Sequence, residues 1–168
     1  MPLALTLRFD AAAEARLARF ETALAAAGFA SASRQTGYPP HITLLRVEDA
    51  AAEPVLAERL SDLPRLAATL MLSGFGLFPG PPPILFLAPV VTPGLLAFQA
   101  ALVAALPDVE VHPHTRPGAW VPHVTLAEGA APALAAALEA WDGPCPVTPV
   151  AVELVRFPPA RVLGRGPL

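Results

Sequence analysis

Two stretches decide how this chain is read: Pro40-His41-Ile42-Thr43-Leu44 and Pro122-His123-Val124-Thr125-Leu126. They are one pentad with a single aliphatic exchange. They stand 82 residues apart, about half of a 168-residue chain. Each follows a helix-bearing stretch and precedes another helix, which predicts two lobes of similar plan related by a pseudo-twofold axis. In a strand, residues i and i+2 share a face. His41 and Thr43 therefore point one way and Ile42 and Leu44 the other, and the second pentad repeats this with His123 and Thr125 against Val124 and Leu126. The aliphatic pair suits a lobe's core, and the His-Thr pair is left for a cleft between lobes.

The flanking sequence alternates strands and helices. Leu3, Leu5, Leu7 and Phe9 share one face of a half-buried strand over Pro2–Phe9. Asp10 is placed to cap a helix over Ala11–Ala27 that ends at Gly28, and a short extended segment follows. Pro39-Pro40 leads into a strand over His41–Val47. A helix is expected over Ala50–Leu63, then a strand pair or one long bent strand over Arg65–Phe78. A turn at Gly80-Pro81-Pro82-Pro83 precedes a strand over Ile84–Val91. Thr92 is placed to cap a helix over Pro93–Leu106. Val109–Ala119 reads as irregular, Pro122–Ala127 as a strand, Ala131–Trp141 as a helix and Val147–Phe157 as a strand, with an edge strand in the tail Arg161–Leu168. Tight turns between neighbouring strands favour antiparallel or mixed sheets, an α+β fold, over a doubly wound parallel one.

Composition narrows the function classes. The chain is 54% hydrophobic and 15% charged, so it is a compact globular protein of one domain's length. All eleven basic residues are arginine, and the net charge is -3. Proteins that grip long duplexes usually carry a basic excess, so a small ligand or a strand end is the expected partner. Cys145 is alone, which excludes an internal disulfide and a cysteine-built zinc site. Pro-flanked, it reads as a buried filler. No signal-peptide pattern and no membrane-length apolar run is present, so a cytoplasmic, soluble protein is expected. Neither a dinucleotide-type nor a Walker-type glycine loop occurs.

Histidine titrates near neutrality, so one imidazole can take a proton while a second, protonated, gives one. A pair flanking a phosphate supports in-line attack by water and protonation of the leaving oxygen. Each threonine hydroxyl can donate to a non-bridging oxygen. This chemistry needs no metal, and a lone His-x-Thr on a strand would more often be packing than catalysis. The repeat is what singles out His41 and His123, with Thr43 and Thr125.

On these residues the chain resembles the 2H phosphoesterase superfamily, in particular the bacterial 2′-5′ RNA ligase-like proteins, also called RNA 2′,3′-cyclic phosphodiesterases. Their hallmark is a pair of His-x-Thr-x motifs half a small domain apart, matched by His41-Ile42-Thr43-Leu44 and His123-Val124-Thr125-Leu126. Tyr38-Pro39-Pro40, the stretch Leu72–Pro79, Arg116–Pro122 with its Trp-x-Pro-His lead-in, and the ending from Leu154-Val155-Arg156-Phe157 to Pro167-Leu168 are also similar. Only the paired motifs are specific. The resemblance implies a single domain over 1–168 made of two lobes, with two antiparallel sheets flanking a cleft and helices outside. It implies hydrolysis of a 2′,3′-cyclic phosphate to a 2′-phosphate, with reversible 2′-5′ RNA joining in some members. His41 and His123 would be the acid-base pair, and Thr43 and Thr125 the phosphate-binding hydroxyls. No cofactor and no metal is implied. The expected partner is an RNA terminus or a small cyclic nucleotide, met by a monomer away from membranes. The acidic balance departs from RNA-processing members and argues against long RNA substrates.

Further candidates have plainer alternatives. Tyr38, Phe78 and Trp120 are candidates to stack on a nucleobase at the cleft rim, against ordinary aromatic packing. Arg116 is a candidate to reach a phosphate, against a solvated loop position. Arg156, Arg161 and Arg165 cluster near the C-terminus, mostly as solvated charges. His112 and His114 form a His-x-His without a carboxylate or cysteine at ligand spacing, which speaks against a metal site. Two other readings stay open: a nucleotide or RNA-end binding module without turnover, and the same chemistry on a nucleotide metabolite or a 2′-5′ oligonucleotide.

Overall fold

The computed structural model describes residues 1–128 and 131–168. Strand β1 (Leu3–Phe9) runs into helix α1 (Ala11–Ala26), whose first turn is capped by Asp10 accepting from the amides of Ala12 and Ala13 at 3.0 Å. A two-residue strand β2 (Ala30–Ser31) and a short helix α2 (Ala32–Thr36) follow, where an extended segment was expected. Gly37, in the left-handed region at φ 66°, ends α2 and reverses the chain toward the first pentad.

The pentad leads into β3 (Ile42–Val47). Beyond it a 3₁₀ turn and α3 (Glu53–Arg59) replace the longer helix expected to Leu63. Pro64 disfavours helical backbone before it, so the helix closes early. Next come β4 (Leu70–Phe78) and β5 (Ile84–Pro89), then α4 (Pro93–Ala104), capped by Thr92 accepting from the Leu95 amide at 3.2 Å. The second pentad enters β6 (Val124–Glu128), followed by α5 (Ala131–Ala140).

The expected strand over Val147–Phe157 is two strands in different sheets. β7 (Cys145–Val147) pairs with β4, and β8 (Pro149–Arg156) pairs with β1 and with β9 (Arg161–Pro167). The crossing is pinned by Asp10, which caps α1 and also accepts from the Thr148 amide at 2.8 Å while donating its own amide to the Thr148 carbonyl at 2.9 Å.

Two antiparallel sheets result, in the orders β3-β1-β8-β9 and β2-β6-β5-β4-β7. Read outward from each pentad strand, β3-β1-β8-β9 and β6-β5-β4-β7 follow one plan, and a helix joins the first two strands of each in chain order. Both pentad strands also carry a bulge at the same place. Thr6 and Leu5 face Thr43 and Leu45, leaving Leu44 as the extra residue. Phe86 and Leu85 face Thr125 and Ala127, leaving Leu126.

The core is one cluster that runs through both sheets, with Leu3, Leu5, Leu7, Leu44, Leu85 and Leu126 fully buried. Truncating one such leucine to alanine costs about 2–5 kcal/mol. β1 is not half-buried, because Ala4 and Thr6 on its other face are covered as well. Among the described residues no helix is long and apolar enough to cross a membrane.

Candidate active site

Ile42, Leu44, Val124 and Leu126 are fully buried, whereas His41, Thr43, His123 and Thr125 are partly exposed. The alternation thus turns both His-Thr pairs away from the core. Two adjoining cavities receive them. One, of about 230 Å³, is bordered by His41, Thr43 and Thr125. The other, of about 580 Å³, is bordered by His123 and again by Thr43. Thr125, from the second pentad, borders the cavity of the first histidine, so the pentads share one cleft.

Both imidazoles are fixed in the same way. The Nδ1 of His41 donates to the Pro39 carbonyl at 2.8 Å, and the Nδ1 of His123 donates to the Val121 carbonyl at 2.7 Å. A carbonyl only accepts, so each Nδ1 carries hydrogen and each neutral ring keeps its lone pair on Nε2. Aromatic edges complete the seats. Tyr38 meets the His41 ring at 4.8 Å and Phe78 meets the His123 ring at 4.8 Å, both edge-on.

Burial sets the proton affinities. It pushes His41 down to about 4, against the Pro39 carbonyl bond, and the charges of Arg8 and His123 push the same way while Glu153 opposes. Burial also lowers His123, opposed by its bond to Val121.

Across the first sheet, cross-strand register lines up Thr43, Thr6, Glu153 and Arg165 in one row over four strands. Tyr38 lies over this row. Its hydroxyl donates to Glu153 Oε2 at 2.6 Å and accepts from Thr6 at 2.7 Å. Arg8 donates to the same carboxylate at 2.9 Å and also pairs with Glu14. A buried polar network therefore stands behind His41. In the second sheet the equivalent row is apolar: Thr125 faces Phe86, which faces Gly76. A Cβ at Gly76 would lie 2.2 Å from the Phe86 ring, so glycine is what lets that ring settle over β4, where it meets His123 at 5.3 Å.

A model of the 2′-5′ RNA ligase superfamily matches residues 9–158, nearly the whole chain. The chain belongs to this superfamily. Its fold is shared by TT0787 of Thermus thermophilus, at 22% identity over 98% of this chain and 96% of that one, with a TM-score of 0.62. It is shared by Escherichia coli LigT complexed with 3′-AMP, at 16% identity over 100% and 96% of the two chains (TM-score 0.57). Kluyveromyces marxianus Usb1 is also similar, at 16% identity over 99% and 97% (TM-score 0.56). No curated protein sequence matches the chain.

Within this superfamily member, the candidates Tyr38, Phe78 and Trp120 border the two cavities and Arg116 does not. Tyr38 borders the smaller cavity beside His41, but it is only 4% exposed and its hydroxyl is engaged by Glu153. Trp120 is buried too. Its indole Nε1 donates to the Thr43 carbonyl at 2.8 Å, tying the loop before β6 to β3. Phe78 borders the larger cavity, but its ring is stacked on Phe86 at 4.3 Å. Arg116 borders neither cavity. Its Nε is bent back onto the Val111 carbonyl at 3.0 Å, where it staples its own loop. Arg156 pairs with Glu53 and Arg165 approaches Glu153 at 3.8 Å, while Arg161 is exposed. Cys145 is buried. Among the described residues, no group of three or more His, Cys, Asp or Glu side chains is gathered to hold a metal ion.

Sequence reasoning passed over Thr6, Arg8, Glu153 and Arg46. A signal for two of them existed: Arg8 and Glu153 are charges inside otherwise apolar strands, the pattern of a buried pair. Arg46 borders both cavities, and the bulge at Leu44 hid it from a period-two count.

Proposed function

We propose that this chain, as one two-lobed domain over residues 1–168, is a metal-independent phosphodiesterase that opens 2′,3′-cyclic phosphates of RNA ends or nucleotides to 2′-phosphates. The observation that carries the proposal is the matched fixation of two imidazoles, each held through Nδ1 by the carbonyl two residues upstream and each left with Nε2 for proton transfer. One neutral ring takes a proton from the attacking water as its oxygen bonds to phosphorus. The other ring, protonated, gives its proton to O3′ as the P–O3′ bond breaks, leaving the phosphate on O2′. Thr43 and Thr125 donate to the non-bridging oxygens, where negative charge grows.

With the 5′-hydroxyl of a second strand in place of water, the same steps form a 2′-5′ linkage. A nucleotide-sized substrate is favoured by the cavity volumes and by the 3′-AMP that LigT holds. A chain without lysine and with a net charge of -3 gives little grip on a long backbone.

The test is to incubate the purified protein with adenosine 2′,3′-cyclic phosphate in excess EDTA and separate the products. The expected result is conversion to the 2′-phosphate at a rate EDTA does not change. No conversion, a 3′-phosphate product, or loss of activity in EDTA would each contradict the proposal.

A further inference from the structure

The steps above use only Thr43 and His123 of the residues that border the larger cavity. Its polar lining goes beyond the groups used there and comes from two segments: Arg46 on β3, and His112, His114 and Thr115 on the loop between α4 and β6. Simple alternation from His41 and Thr43 would bring Leu45 to the cleft. The extra residue Leu44 flips the register instead, so Leu44 and Leu45 are both buried and Arg46 emerges on the His41 side. The second pentad strand has the same bulge and places Glu128 at the matching position, so the two strands differ in charge there.

Arg46 is the one arginine that borders either cavity among the described residues, and the chain has no lysine to share its part. Its Nε meets Glu48 Oε1 at 2.6 Å. Its two terminal nitrogens have no partner among the described residues, which leaves the edge of the guanidinium that suits a phosphate.

The histidine loop is docked on the same strand. The His112 amide donates to the Arg46 carbonyl at 2.8 Å, the Arg46 amide to Thr115 Oγ1 at 3.1 Å, and Gln99 Nε2 to the Thr115 carbonyl at 2.7 Å. His112 Nδ1 accepts from the His114 amide at 3.3 Å, so its hydrogen is on Nε2, a donor 3.9 Å from Glu48. Glu48 holds the Arg46 guanidinium and faces His112 Nε2, and an arriving anion has to share both donors with it. The cavity that this group shares with His123 is also bordered by Phe78, Ile84 and Trp120. Thr43 and Arg46 are separated by about 7–10 Å of strand, the scale of one nucleoside between its phosphates.

We propose that Arg46, His112 and His114 hold a second phosphate of the substrate, one nucleoside away from the phosphate between His41 and His123. This rests on the phosphodiesterase reading above, and it makes the preferred substrate a nucleotide that carries two phosphates. The second group is either a 5′-phosphate monoester or the phosphodiester of a preceding nucleotide.

Calorimetric titration tests this without requiring turnover. Adenosine 2′-phosphate, adenosine 2′,5′-bisphosphate and a dinucleotide ending in a 2′-phosphate are each titrated into the wild-type protein and into Arg46→Gln. The bisphosphate is expected to bind about tenfold or more tighter than the monophosphate, and Arg46→Gln to bring that ratio near one. Tight binding of the dinucleotide as well assigns the site to an RNA chain, and tight binding of the bisphosphate alone assigns it to a terminal phosphate. Equal affinities in the wild type would overturn the proposal. So would an Arg46→Gln protein that loses affinity for all three ligands by the same factor, which would put Arg46 on the reacting phosphate. Failure of cyclic phosphate opening alongside an intact binding ratio would count against the catalytic reading alone.

Discussion

Burying His41 has a measurable consequence for stability. The imidazole is held at about 4 in the folded chain, against 6.5 when solvated. A base with a lowered folded pKa takes its proton in the unfolded chain first, so between 6.5 and about 4 the unfolded state binds more protons. Stability therefore rises with pH across that window, is fully present above it, and is lost as the pH falls toward 4. At about 1.36 kcal/mol per tenfold change, the full effect is about 3 kcal/mol, and about 2.5 kcal/mol is lost between about pH 7.5 and pH 4.5. Carboxylates titrate near the lower end of this range, so the comparison has to be differential. Urea unfolding at both pH values is measured for the wild type and for His41→Asn, which keeps a donor for the Pro39 carbonyl but does not titrate. The wild type is expected to lose about 2 kcal/mol more than the variant. Equal losses would show that His41 is not desolvated and would remove the physical basis for its lowered proton affinity.

Three further outcomes are expected. The rate constant kcat/KM for cyclic phosphate opening peaks on the acid side of neutrality, because one proton on the pair is needed and burial lowers both rings; a plateau extending above about pH 8 would contradict this. Gly76→Ala drives a methyl into the Phe86 ring, which His123 meets at 5.3 Å, and cuts turnover about tenfold or more with a stability loss of about 1–3 kcal/mol by denaturant unfolding; unchanged turnover would refute that seat. Glu153→Gln removes the charge that raises His41, so the acid limb of the pH profile moves to lower pH. It also costs about 2–4 kcal/mol through Arg8 and Tyr38, and an acid limb that moved upward would refute the network's role.

Much of the fold was legible because the pentads encode their own geometry. Alternating His-Thr and aliphatic residues place one pair in a core and the other in a cleft, and the Asp10 and Thr92 caps mark helix starts that the structure contains. What the sequence concealed depended on long-range pairing. The bulges at Leu44 and Leu126 shift the period without any local glycine or proline to announce them, so Arg46 looked like the wrong face. The break at Thr148 is pinned by Asp10, far away in sequence, although Pro149 stands at it as a local signal that the single-strand reading passed over. Tyr38 and Trp120 line the cavities, but no local pattern says that Glu153 and the Thr43 carbonyl take their polar atoms. Arg116 was chosen for its nearness in sequence to the second pentad, yet its guanidinium satisfies the Val111 carbonyl instead.

The central claim, that two imidazoles transfer the protons, is tested most directly by single turnover of adenosine 2′,3′-cyclic phosphate with His41→Ala and His123→Ala, each with and without added imidazole. Each variant is expected to lose at least about 10²–10⁴-fold in rate and to regain part of it with imidazole, while folding as the wild type does. A variant that kept wild-type turnover at either position would contradict the account.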